Sequence, residues 1–153
     1  MLFYTHIAFA LLIGLFFTEY FPVGNVIVFY IVLILSSLLL DIDDANSKVG
    51  KKLGIISNVL NFFFGHRDFF HSFLFIIPLY IILEIFTSSG ASVAFLLGTC
   101  SHLVMDALTP SGVAAFYPLK HRMSFKIKTG GWGEKVLFLI ILLVIFYKIF
   151  VWH

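Results

Sequence analysis

Five apolar stretches, nearly free of charge and each about 16–18 residues long, dominate this chain. They run over Leu2–Phe17, Val23–Leu40, Phe69–Phe86, Ala91–Ala107 and Lys135–Trp152. As helices at ~1.5 Å per residue, each reaches about 25 Å, most of the way across a ~30 Å hydrocarbon layer. Helix is the state that lipid imposes, because every backbone N–H and C=O must be paired within its own segment. A water-soluble alternative fails on composition: 61% of the residues are apolar, 12% are charged, and Phe alone takes 20 positions. A chain of 153 residues leaves too much of its surface exposed to hide that load from water. The same figures exclude a disordered chain, a collagen-like chain and a nucleic-acid-binding module. The expected architecture is one all-α transmembrane domain over residues 1–153, a bundle of about five helices with lipid as its solvent. The first stretch has no Lys or Arg ahead of it and is followed by Thr18, Glu19 and Tyr20 rather than a small-residue cleavage site. It is therefore expected to stay as a helix rather than be removed as a signal peptide.

Two polar segments interrupt the apolar pattern, Asp41–Lys52 and Leu108–Glu134. With five crossings, both fall on the same side of the membrane as the N-terminus. That side holds Lys48, Lys51, Lys52, Arg67, Lys120, Arg122, Lys126, Lys128 and Lys135, against Lys148 alone on the other. The excess of Lys and Arg marks the first side as cytoplasmic. The turns at Thr18–Pro22 and Thr87–Gly90 then lie outside, and Asn58–Phe64 is expected to rest in the interface or re-enter the membrane partway. The single cysteine, Cys100, sits in an apolar run, where helix packing is its expected role.

The ionisable side chains follow this topology. His6 opens the first stretch; Asp41, Asp43 and Asp44 end the second; His66, Asp68 and His71 open the third; His102 and Asp106 close the fourth; His121 lies in the last polar segment. All five aspartates and five of the six histidines thus collect at one face. Carboxylates and imidazoles beside hydrocarbon are costly unless they are paired, solvated or bound to a cation. A divalent metal offsets that cost and takes these ligand types. His102 and Asp106 are four apart and share one helical face. Asp41 pairs with Asp43 toward one centre if the chain turns there, and with Asp44 if the helix continues. Four separate segments delivering His and Asp to one depth carry the argument; no HExxH, GxSxG or Walker A motif is present.

In this arrangement the chain resembles the membrane-bound metal-dependent hydrolase family, inner-membrane hydrolases linked to the LexA regulon. The matching blocks are His6, Leu40-Asp-Ile-Asp-Asp-Ala-Asn-Ser47, His66-Arg-Asp-Phe-Phe-His-Ser72, Ser101-His-Leu-Val-Met-Asp106 and Leu108-Thr-Pro-Ser-Gly112 with Tyr117-Pro118 downstream. Leu40 stands where the family usually has Pro, and Asp68 and Phe70 stand where it usually has Gly and Thr. The resemblance implies a metal set of Asp41, Asp43, His66, His71, His102 and Asp106. His6, Asp44, Asp68 and His121 are possible additions. The metal would be one or two divalent ions, zinc first, manganese or magnesium otherwise. Asp41, His71 and Arg67 are the expected catalytic groups, with Arg67, Lys120 and Arg122 binding substrate phosphate. The expected activity is hydrolysis of a lipid or lipid-linked phosphoester by a metal-activated water, at the cytoplasmic face of the inner membrane. The alternative is a metal-binding scaffold or ion transporter without hydrolase activity.

Overall fold

A computed structural model describes residues 1–43, 69–119 and 121–151, with the backbone alone at Ile42 and Asp43. Its elements are α1 (Phe3–Tyr20), α2 (Val26–Leu39), a 3-10 turn (Leu40–Asp43), α3 (Phe73–Phe86), α4 (Ser89–Ala107) and α5 (Trp132–Phe150). Among the described residues there is no strand, only an antiparallel bridge between Val113 and Met123. The all-α class is as the sequence predicts.

α4 is the central helix. It packs against α1, α2 and α3, and most closely against α2. Eleven of its nineteen residues are buried, whereas α3 buries only Ile76 and α5 only Glu134 and Ile141. The difference lies in side-chain size. Gly90, Ala94 and Gly98 follow one another at four-residue spacing along α4 and let a neighbour come close. A Cβ on Gly98 would stand 2.0 Å from Ser36 Oγ and 2.5 Å from the Leu33 carbonyl oxygen. α3 and α5 instead turn Ile81, Ile85, Leu139, Leu143 and Phe146 outward. Such broad apolar faces are stable against lipid rather than water.

Helix ends differ from the sequence expectation by a few residues, each for a local reason. α1 continues through Tyr20, with the Thr18 hydroxyl bonding back to the Gly14 carbonyl at 2.9 Å, and Pro22 follows its end. α2 starts at Val26 because the Asn25 side chain accepts from Ile27 N and Val28 N. α4 starts at Ser89, capped by Ser88. α3 waits until Phe73, since residues 69–72 form a turn closed by the Ser72 hydroxyl on the Phe69 carbonyl at 2.6 Å. The five expected spans are not matched one for one. α1 and α4 are long and apolar enough to cross a membrane, while α2 and α3, at 14 residues each, are shorter apolar helices. α5 has the length but carries Glu134, Lys135 and Lys148.

The contacts show which helix ends share one side of the molecule. The Leu2 amide and the Thr5 hydroxyl, at the start of α1, donate to Glu134 Oε1 at the start of α5, at 2.7 and 2.8 Å. The Gly130 amide donates to Glu134 Oε2 at 2.6 Å. One buried carboxylate thereby fastens two helix N-termini, where the peptide dipoles favour a negative charge. The chain after α4 folds back over the same end. Val113 and Met123 exchange backbone bonds at 3.0 and 2.9 Å, and Ile127 N reaches the Leu108 carbonyl at 3.0 Å. Gly112, at φ +63°, makes that reversal; a Cβ there would lie 2.5 Å from the Met123 carbonyl oxygen. Phe73 N bonds the Ala115 carbonyl at 2.9 Å and docks the start of α3 under this cover.

Candidate metal centre

At this end of the bundle four buried side chains converge. Asp41 comes from the 3-10 turn after α2, His71 from the turn before α3, and His102 and Asp106 from the last two turns of α4. One ligand atom from each lies within 4.8 Å of all the others. The two imidazoles face each other, His71 Nε2 to His102 Nε2 at 3.2 Å. His102 Nε2 is 3.4 Å from Asp106 Oδ2 and 3.7 Å from Asp41 Oδ1; His71 Nε2 is 3.8 Å from Asp106 Oδ2. Ligands held tetrahedrally at ~2.0–2.1 Å from zinc stand roughly 3.3 Å apart, so these separations are of the right size for one ion.

The tautomer of His102 is set by its other nitrogen. Nδ1 lies 2.7 Å from the Ser37 carbonyl oxygen. A carbonyl can only accept, so Nδ1 carries the proton, and in the neutral ring Nε2 turns a lone pair toward the two carboxylates and His71. That is the arrangement by which a backbone carbonyl orients a metal-bound imidazole. The two carboxylates bring a formal charge of −2 to the group, of which the buried Met1 ammonium, 2.7 Å from Asp106 Oδ1, offsets one. Burial pushes the Asp41 carboxyl above its usual range, with the His102 imidazole pulling the other way. The donor set therefore fits a divalent metal in ligand type and spacing.

His6 completes the group. It stands on the second turn of α1, fully buried, with its ring stacked on that of His102 at 4.0 Å between centroids and 9° between planes. Its Nε2 is 3.4 Å from Asp106 Oδ1, yet neither ring nitrogen meets hydrogen-bond geometry among the described residues. The Met1 nitrogen donates to the same Asp106 oxygen at 2.7 Å.

Of the residues named from sequence, the structure brings together Asp41, His71, His102, Asp106 and His6. His121 is exposed on the last polar segment and stands outside the group. Arg122 is exposed too, its Nη1 donating to the Ser111 carbonyl at 3.3 Å. The Asp43 side chain, Asp44, His66, Arg67, Asp68 and Lys120 lie outside the described residues, as does the segment 53–65. His71 precedes α3 rather than opening it, which lets it turn toward α4. Sequence reasoning missed Glu134 and the Ser37 carbonyl. Glu134 had a signal, an acidic residue just after Gly130-Gly131 in a first helical turn. A backbone carbonyl has none.

The chain is similar to proteins from bacteria and an archaeon. An uncharacterized protein YvsG of Bacillus subtilis is 34% identical over 103 residues, covering 65% of this chain and 64% of its own length. The inner membrane protein YdjM of Escherichia coli is 36% identical over 100 residues, covering 61% and 51%. An uncharacterized protein ORF4' of Methanothermobacter thermautotrophicus is 32% identical over 91 residues, covering 53% and 38%. The chain thus spans less than two thirds of the length of each of these relatives. No solved structure matches it. The family model described as YdjM inner membrane protein matches residues 1–153, and the chain belongs to that family of membrane proteins.

Proposed function

We propose that this protein is a metal-dependent hydrolase of the inner membrane, cleaving a phosphoester of a lipid or lipid-linked substrate at the cytoplasmic side. The observation that carries the reading is the buried convergence of Asp41, His71, His102 and Asp106, with His6 against it. All five helices would cross or nearly cross the bilayer, which puts the group at headgroup depth. Asp41, His71, His102 and Asp106 would hold a divalent ion, zinc first, which when bound would lower the pKa of a coordinated water to ~7 and supply a Lewis acid for the phosphoryl group. The protein's own part is positional. Ser37 holds the His102 ring in one tautomer and one plane. Asp106 presents one oxygen to His102 and the other to His6. His6, its Nε2 3.4 Å from Asp106 Oδ1, would be the imidazole to take a proton during attack. Arg122, on the segment after α4, would meet the phosphate, and Arg67 and Lys120, which lie outside the described residues, are the other cations the sequence offers for it.

One observation favours a second reading. Four protein donors saturate a tetrahedral ion, the pattern of a structural metal, and a reactive water then needs a fifth position or a donor that lets go. Asp41 is the donor with some exposure, 9% of its side chain, and is the one to yield. The test is to purify the protein in detergent, strip it with chelator, and measure bound zinc, manganese and magnesium together with release of phosphate or headgroup from a lipid panel. We expect stoichiometric metal and turnover in the wild type, and loss of both in His102→Ala and Asp106→Asn. Metal without turnover supports the structural reading; no metal in folded protein ends both.

A further inference from the structure

Beside the cluster lies a groove that the chemistry above does not use. It has a volume of about 490 Å³, inside the ~300–1,000 Å³ range of ligand pockets, and it is open on one side. Its walls are mainly apolar, with Phe73, Cys100, Leu103, Val104, Ala107 and Phe116 among them, and Ser124 also lines it. Three of these adjoin the metal group in sequence: Leu103 follows His102, Ala107 follows Asp106, and Phe73 is two residues past His71. Successive residues on a helix lie ~100° apart around its axis, so the groove runs along the flank of α4 next to the face that holds the ligands.

We infer that this groove seats a hydrocarbon chain of an anionic phospholipid substrate, entering sideways from the cytoplasmic leaflet. The inference rests on the hydrolase reading and adds where the substrate binds. Three observations select the occupant. The first is depth. From Cys100 to Leu108 the groove follows α4 for about 12 Å at ~1.5 Å per residue, against about 15 Å for one leaflet of a ~30 Å core. It accommodates most of one chain from one leaflet and no more. The second is charge. The exposed Arg122, Lys126 and Lys128 stand on the segment that carries Met123 and Ser124 of the groove wall, which suits an anionic headgroup at that end. The third is access. Val104 in the wall is 50% exposed on a helix of the right length and apolarity to cross the membrane, so the opening faces lipid. A chain lying there leaves the phosphoester at the level of the Thr109–Gly112 turn, beside Asp106.

The test uses the full chain in phosphatidylcholine vesicles doped with phosphatidylglycerol that carries a photoreactive diazirine midway along one acyl chain. Labelling should concentrate in peptides covering residues 100–108 and 113–124, in excess of the lipid-facing Leu139–Leu143 stretch of α5. Val104→Trp should cut that excess roughly tenfold, the loss expected from about two buried methylenes. Equal labelling of the groove and α5 in the wild type overturns the groove, and this comparison needs no variant to fold. In turnover assays with metal, the ratio of KM for long-chain over short-chain phosphatidylglycerol should rise by a similar factor in the variant. A KM indifferent to chain length in the wild type also overturns the groove. Concentrated labelling with no turnover on any substrate keeps the groove and overturns the hydrolase reading.

Discussion

At the scale of single residues, hydrogen bonding distinguishes the two stacked histidines of the group. His102 is fixed on both sides, by the Ser37 carbonyl at Nδ1 and by the cluster at Nε2. His6 has the same ring and the same burial, but among the described residues its close polar neighbour is Asp106 Oδ1 at 3.4 Å from Nε2, outside hydrogen-bond geometry. The two rings are stacked, so position alone does not separate their roles; hydrogen bonding does. His6→Phe tests this division. Phe keeps an aromatic ring for the stacked plane, somewhat larger than imidazole, and removes the nitrogens. Bound metal should persist, because Asp41, His71, His102 and Asp106 remain, while kcat should fall by about 10²–10⁴, the usual contribution of a general base. The measurement is metal content beside kcat. Loss of metal in His6→Phe would make His6 a ligand instead.

At the scale of elements, the site depends on how closely α2 approaches α4. The Ser37 carbonyl that orients His102 sits one residue from Ser36, whose hydroxyl bonds the Leu33 carbonyl of its own helix at 3.1 Å and the Ala94 carbonyl of α4 at 3.4 Å. This approach is possible because position 98 has no Cβ. Gly98→Ala has no flexible side-chain tip to push aside on the Leu33 side, since that neighbour is backbone. It should separate the helices, cost ~1–3 kcal/mol in stability, and lower metal affinity about 10–100-fold through the displaced carbonyl. Thermal unfolding and a zinc titration check the two effects; unchanged zinc affinity would show that the carbonyl does not orient His102. The histidines and aspartates were legible in sequence because a charged group in an apolar run needs a reason. The α2–α4 contact was not, because Gly98 is one of 11 glycines and a small residue gives no sign of what approaches it. Cap residues such as Ser88 and Asn25 moved the helix ends by only two or three residues, so element identity survived where boundaries did not.

At the scale of the whole molecule, helix direction accounts for the assembly of the site. Asp41 follows the end of α2, Asp106 lies near the end of α4, His71 precedes α3, His6 lies near the start of α1, and Glu134 opens α5. Elements alternating in direction bring these positions to one end, and the bonds from Leu2 and Thr5 to Glu134 show two of those ends touching. The opposite end has its own pairings, Lys148 with Glu19 and the Ser92 hydroxyl with Glu84. Lys148 is thus held by a carboxylate across α1 and α5, which accounts for a lysine there without any part in topology. Among the described residues, Arg122, Lys126, Lys128 and Lys135 lie on the segments at the metal group's end, and the proposed cytoplasmic orientation rests on such an excess of Lys and Arg. Orientation can be read directly after the native cysteine is removed by Cys100→Ala. In intact cells a membrane-impermeant maleimide should label Tyr20→Cys, and should label Ser111→Cys only after permeabilisation; both native positions are exposed. The reverse pattern would put the metal group outside, where a lipid substrate would have to come from the other leaflet.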